Sequence, residues 1–120
     1  MKGSKQRAEA RGRWAERIAL WRYRLIGFRL LAQRYRTAVG EIDLVLRRGN
    51  FVVFVEVKAR ASLDDALHAL NAHQRERLSR AAAVFLRDHP IHNDCAMRFD
   101  LISIQPWRLP FRVVGAWRLE

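Results

Sequence analysis

Apolar residues in the first quarter of the chain fall at Trp14, Ile18, Trp21 and Leu25. The spacing i, i+4, i+7, i+11 marks one face of a helix over residues 8–26. Gly27 follows where a helix stop belongs. Arg13, Arg17 and Arg24 lie on the other side, and Glu16 falls on the flank, one step from the apolar stripe. Residues 28–36 then predict a first strand. The runs 41–46 and 51–57 are β-rich and flank Gly49-Asn50. Gly in the first loop position supplies the φ > 0 that a type II′ hairpin turn requires. The second run, Phe-Val-Val-Phe-Val-Glu-Val, is apolar at nearly every position, as in strands covered on both faces.

Ser62 to Asp65 reads as a capping box and Asn71 to Gln74 as a second helix start. That stretch is either a loop or short turn followed by a helix, or one kinked helix. From Gln74 onward Leu78, Ala81, Ala82 and Phe85 share a face, ringed by Arg75, Arg77, Arg80 and Arg87, until His89-Pro90 ends the pattern. Residues 97–104 predict a strand with Arg98 and Asp100 on the face opposite Phe99 and Leu101. Pro106 and Pro110 bracket a bend around Trp107, and residues 111–119 form a last, edge strand. Helix, strand, hairpin, helix, strand, strand is the order of an α/β sandwich with a mixed sheet. It forms one domain over residues 1–120, with residues 1–7 expected as a disordered basic tail.

The hairpin has a chemical consequence. With Gly49-Asn50 as the loop, Asp43 stands directly opposite Glu56, where Cβ atoms are roughly 4.5–5.5 Å apart. Lys58 follows two residues after Glu56 on the same face. Two adjacent carboxylates repel and need a proton, a cation or a metal between them. Hard oxygen ligands with open positions suit Mg²⁺, or Mn²⁺ in its place. A metal-activated water beside an ammonium is a recognised way to attack a phosphodiester. The same three residues could instead make a cross-strand salt-bridge cluster. The apolar strand favours a site, because an acid ending such a strand costs stability unless it is paired or binds something.

Charge narrows the partners. The net charge is +11, and residues 1–36 hold 11 Lys/Arg against two Glu while residues 37–120 hold 12 against 10. Such a field suits a polyanion. Nucleic acid, with DNA first, is the expected partner, and phospholipid or ribosomal RNA would fit the charge equally well. Arg13, Arg17, Arg60, Arg75 and Arg77 are the expected phosphate contacts. No apolar run is long enough to span a membrane, so no membrane partner is expected. The single cysteine, Cys95, excludes an internal disulfide and fits a reducing compartment, and the N-terminus lacks a signal peptide's apolar segment. The cytoplasm is the expected location, and a homodimer is left open. His89, His92 and Cys95 lack a fourth ligand and make a poor zinc site.

Asp43, twelve intervening residues, then Glu56-Val57-Lys58 resembles the D…(D/E)-x-K signature of the restriction-endonuclease-like nuclease superfamily. More closely, Gly40-Glu-Ile-Asp-Leu and Phe54-Val-Glu-Val-Lys-Ala-Arg60 resemble the bacterial YraN family, over residues 11–104. The resemblance implies a restriction-endonuclease-like mixed sheet with flanking helices, like that of archaeal-type Holliday junction resolvases. It implies that Asp43 and Glu56 hold a metal and that Lys58 positions the water. It also promotes Glu16, in Ala15-Glu16-Arg17-Ile18-Ala19, to a further acid of the site. From the residues alone Glu16 reads as a surface partner for an arginine. No Pro precedes Asp43, and Gln74 stands where that family often has Lys. The expected activity is Mg²⁺-dependent hydrolysis of DNA, on branched or damaged structures. The alternative is a nucleic-acid-binding module that keeps the fold without catalysis.

Overall fold

The computed structural model describes residues 2–117, with side chains from Gly12 onward. Helix α1 (Lys2–Leu25) leads into three strands, β1 (Arg29–Thr37), β2 (Gly40–Arg48) and β3 (Phe51–Ala59). Helices α2 (Leu63–Ala69) and α3 (Ala72–Asp88) carry the chain over to β4 (Ala96–Ile104), and β5 (Phe111–Trp117) closes the sheet. The five strands lie in sequence order. β3 pairs antiparallel with β2 and parallel with β4, and the other neighbours are antiparallel. This is the mixed α/β sheet with flanking helices that the pattern predicts. The predicted last strand extended to residue 119, and residues 118–120 lie outside the described residues.

β3 is central because it is apolar on both faces. Val53 and Val55 pack under α1 with Leu44 and Ile102. Val52 and Phe54 pack under α3 with Phe85 and Phe99. The core-facing residues of α3 are Leu78, Ala81, Ala82 and Phe85, as its spacing predicts. The chain between residues 62 and 88 forms two helices rather than one kinked helix. Ser62 Oγ accepts from the Asp65 amide at 3.1 Å, and Asn71 Oδ1 accepts from the Gln74 amide at 2.9 Å. Each side chain satisfies a helix-end donor, so each opens its own helix.

Helix α1 departs from the pattern in two ways. Its backbone is helical from Lys2, where the composition predicts an irregular tail; Lys, Gln, Arg, Ala and Glu are all good helix formers. Most of its apolar stripe also faces outward, with Ile18 packing partly against the core. Trp14, Trp21 and Leu25 are 54%, 56% and 61% exposed, whereas Ala15, Ala19 and Tyr23 are buried. One residue is 100° of helix rotation, so the face that packs sits about a quarter-turn from the larger side chains. Two alanines let the helix approach the sheet closely, which tryptophans at those positions would prevent. Tyr23 then reaches through to donate to Asp100 Oδ2 at 2.8 Å. No helix of the described residues is long and apolar enough to cross a membrane.

Candidate active site

The hairpin register is the one that the Gly49-Asn50 loop predicts. Arg48 pairs with Phe51 and the ladder runs to Leu44 and Val55. Of the two loop residues only Gly49 has positive φ, +57, as a type II′ turn requires. One step beyond that ladder stand Asp43 and Glu56. Here Asp43 Oδ2 accepts from the Val57 amide at 2.8 Å. A side chain thus takes up a strand donor at the point where the regular pairing stops.

Side-chain alternation turns over at the same place. Leu44 and Leu46 pack on the α1 side, whereas Ile42 packs on the α3 side together with Val45. On β1, the pairs Gln33 with Leu44 and Tyr35 with Ile42 place Arg34 opposite Asp43. Arg34 has φ +50, a left-handed conformation uncommon outside Gly. From it the Nε donates to Glu16 Oε2 at 2.7 Å. Gly40 lets the start of β2 approach α3, since a Cβ there would collide with the Arg77 carbonyl.

Glu56 and Lys58 are 7% and 8% exposed, with Lys58 Nζ 3.2 Å from Glu56 Oε1. Burial first, then the neighbouring Glu56, pushes the Asp43 carboxyl up to about 8. Burial also raises Glu56, against the downward pull of the Lys58 ammonium. Crowding in a buried place thus raises both acids, and the Lys58 ammonium offsets only part of the rise at Glu56.

Two clefts open on this end of the sheet. The smaller, about 340 Å³, is lined on the α1 side by Gly12, Ala15 and Glu16 and contains Asp43, Glu56, Lys58 and Arg60. The larger, about 580 Å³, shares those last four and adds Glu41, Asn71, His73, Gln74 and Arg77. The structure thus brings together Glu16, Asp43, Glu56, Lys58 and Arg60, with Arg77 across the larger cleft. Arg13 and Arg17 are exposed on α1 and line neither cleft, and neither does Arg75. Arg75 is half-buried, and its Nε is buried without a hydrogen-bond partner. His92 is remote from the clefts, and its ring Nδ1 accepts from Arg47 at 2.8 Å.

Sequence reasoning did not find the Arg34–Glu16 bond or the Asn71–His73 wall. Nothing local marks a left-handed arginine inside a strand. The wall becomes visible only once the crossover helices are folded over the hairpin.

Among the described residues, no group of three or more acids, histidines or cysteines stands ready to hold a metal. Asp43 and Glu56 supply two carboxylates, and Glu16 is already engaged by Arg34. Two carboxylates fit Mg²⁺, which keeps several of its own waters and takes one or two protein carboxylates.

Fold and site define a mixed α/β protein with a basic surface whose central hairpin gathers two acids and a lysine in a cleft at one sheet end. The chain belongs to uncharacterised protein family UPF0102, whose model matches residues 15–104. A UPF0102 protein of Paramagnetospirillum magneticum is 45% identical over 119 residues, covering 96% of this chain and 92% of that one. One from Maricaulis maris is 44% identical over 117 residues, 98% of this chain and 92% of the relative. One from Bradyrhizobium diazoefficiens is 52% identical over 91 residues, 76% of this chain and 68% of the relative. The family resemblance carried by Gly40–Leu44 and Phe54–Arg60 is thereby borne out, and these names state membership without an activity.

Proposed function

We propose that this protein is a Mg²⁺-dependent nuclease that hydrolyses phosphodiesters of DNA, on branched or damaged structures. One observation carries the reading. Asp43 and Glu56 are placed side by side in a cleft with their carboxyls raised, and the Lys58 ammonium stands 3.2 Å from one of them. Asp43 and Glu56 are the residues that would hold the ion. A bound Mg²⁺ would supply charge for the phosphate and acidify a water. Lys58 touches the same point and can steady the attacking oxygen or the phosphate without binding the metal. Arg60 lines both clefts and Arg77 the larger, where neighbouring phosphates would lie, and Glu16 borders the smaller from α1. The cytoplasm, where DNA is at hand, goes with this reading.

The test compares wild type with Lys58→Ala on duplex, flap, fork, junction and RNA substrates in Mg²⁺ and Mn²⁺. Cleavage by wild type that falls roughly 100-fold in Lys58→Ala, with binding kept, is the expected result. Binding without cleavage of any substrate would overturn the catalytic reading. The second reading, a non-catalytic nucleic-acid-binding module, would then stand on the charge excess in residues 1–36.

A further inference from the structure

The loop between β4 and β5 carries the most exposed large apolar side chain among the described residues. Trp107 is fully exposed, and Leu109 beside it is 86% exposed. The Arg108 amide donates to the Gln105 carbonyl at 3.4 Å, closing a turn with Pro106 second and Trp107 third. Trp107 has φ +61. Pro followed by positive φ is the type II pattern, whose third position favours Gly. A bulky ring held there is an outlier, and such outliers concentrate where function requires them.

The loop's position gives the ring a purpose. β3 and β4 run parallel, with Lys58 beside Ser103 and Ala59 beside Ile104. The Arg60 amide donates to the Ile104 carbonyl at 3.3 Å. The loop therefore leaves the sheet at the same end as Glu56, Lys58 and Arg60. Trp107 is three residues beyond Ile104, a chain reach of roughly 11 Å at most. Arg108 is exposed next to it. An aromatic tip flanked by a cation suits a polyanion that also offers flat apolar faces.

We infer that Trp107 is a stacking wedge, whose ring seats against an unpaired base or an opened base step beside the cleft. This rests on the nucleic-acid reading above and deepens it, because the substrate becomes one whose helix is interrupted. An intact duplex keeps its bases stacked, and opening a step costs a few kcal/mol. A branch or a gap offers the exposed base without that cost. The wedge thus selects for structure rather than for sequence.

Binding without metal tests this independently of cleavage. The probes are an intact duplex, a fork and a flap, the last two carrying 2-aminopurine at the unpaired position. Wild type is expected to prefer fork and flap and to change the 2-aminopurine emission. Trp107→Ala is expected to lose roughly 10- to 100-fold on those probes while holding its duplex affinity. Trp107→Phe keeps most of the preference. Trp107→Gly melts at or above the wild-type temperature, because Gly accepts the left-handed turn position; a structural tryptophan would show the reverse. Fork binding by Trp107→Ala equal to wild type overturns the wedge while leaving the nuclease reading intact; no branch preference in wild type overturns the wedge and the branched-substrate part of that reading, leaving only a structure-blind nuclease. Loss of anionic-vesicle binding alone would assign the loop to a membrane surface and also overturn it. Wild type that binds no nucleic acid at all removes both readings together.

Discussion

Arg34 Nε donates to Glu16 Oε2 across 2.7 Å, from a backbone held at φ +50. The bond joins β1 to α1 at the edge of the smaller cleft and neutralises the third acid of the site. Arg34→Ala strips a buried carboxylate of its hydrogen-bonded partner, so it should cost about 1–3 kcal/mol. If Glu16 stands within reach of the ion, Mg²⁺ should then raise the melting temperature of Arg34→Ala by more than that of wild type. Equal shifts would make Glu16 a purely structural partner.

The Asp43 carboxyl gives a pH signature. Its folded value, about 8, is above the ordinary carboxylate range. Between about 4 and about 8 the folded protein keeps a proton that the unfolded chain has released. Metal-free stability should therefore fall as pH rises through that window. Glu56 is raised in the same direction and adds to the slope. Asp43→Asn should flatten the curve and melt at or above wild type at pH 7, since Asn can still accept from the Val57 amide. Melts across pH 4–9 without metal check this, and a steeper curve in the variant would contradict it.

Gly40 touches the Arg77 backbone so closely that a Cβ would collide with its carbonyl. Backbone cannot swing aside as a flexible side chain can. Gly40→Ala should destabilise by about 1–3 kcal/mol. It should also push the start of β2 away from α3, widening the larger cleft. Denaturant titration checks the first effect. A loss of metal affinity beyond what partial unfolding explains checks the second.

Asp100 is fully buried and accepts from Tyr23, from Arg98 Nε and Nη2 and from the Gly115 amide. Burial and the Asp100 charge push the Tyr23 hydroxyl well above its ordinary range, so it stays a donor at every working pH. Tyr23→Phe removes one bond and should cost about 1–2 kcal/mol. Asp100→Ala strands Arg98 and the amide and should cost about 3–5 kcal/mol. Neither residue lines the clefts, so nucleic-acid affinity at a temperature where the variants remain folded should be unchanged. A selective loss of affinity would show that this network reaches the site.

Local chemistry was legible where short-range rules act alone. The Gly49-Asn50 loop set the register that brings Asp43 and Glu56 together. Ser62 and Asn71 marked two helix starts that prove to be separate helices. The α3 face followed from its spacing. The α1 face did not, because periodicity finds the apolar stripe but not which neighbour covers it. Trp14, Ile18, Trp21 and Leu25 made a regular stripe, yet the sheet selected the smaller Ala15 and Ala19 for close approach. The Arg34 conformation and the approach of α3 that puts Asn71 and His73 beside the named Arg77 in the cleft wall were illegible for a related reason. Both depend on contacts between segments far apart in the chain, Arg34 with Glu16 and Arg77 with Gly40.

The parallel pairing of β3 with β4 has a bearing on how the chain comes off the ribosome. Glu16, Asp43, Glu56 and Lys58 all precede the crossover helices, so their strands can assemble by local antiparallel pairing. β4 arrives some forty residues later, and until then β3 is an edge strand. Its Val-Val-Phe-Val run would present open amides and carbonyls on an apolar ribbon, a template for joining a second nascent chain. Prompt arrival of β4, brought back to the sheet by α2 and α3, is thus as much a safeguard against co-translational aggregation as a step in building the sheet.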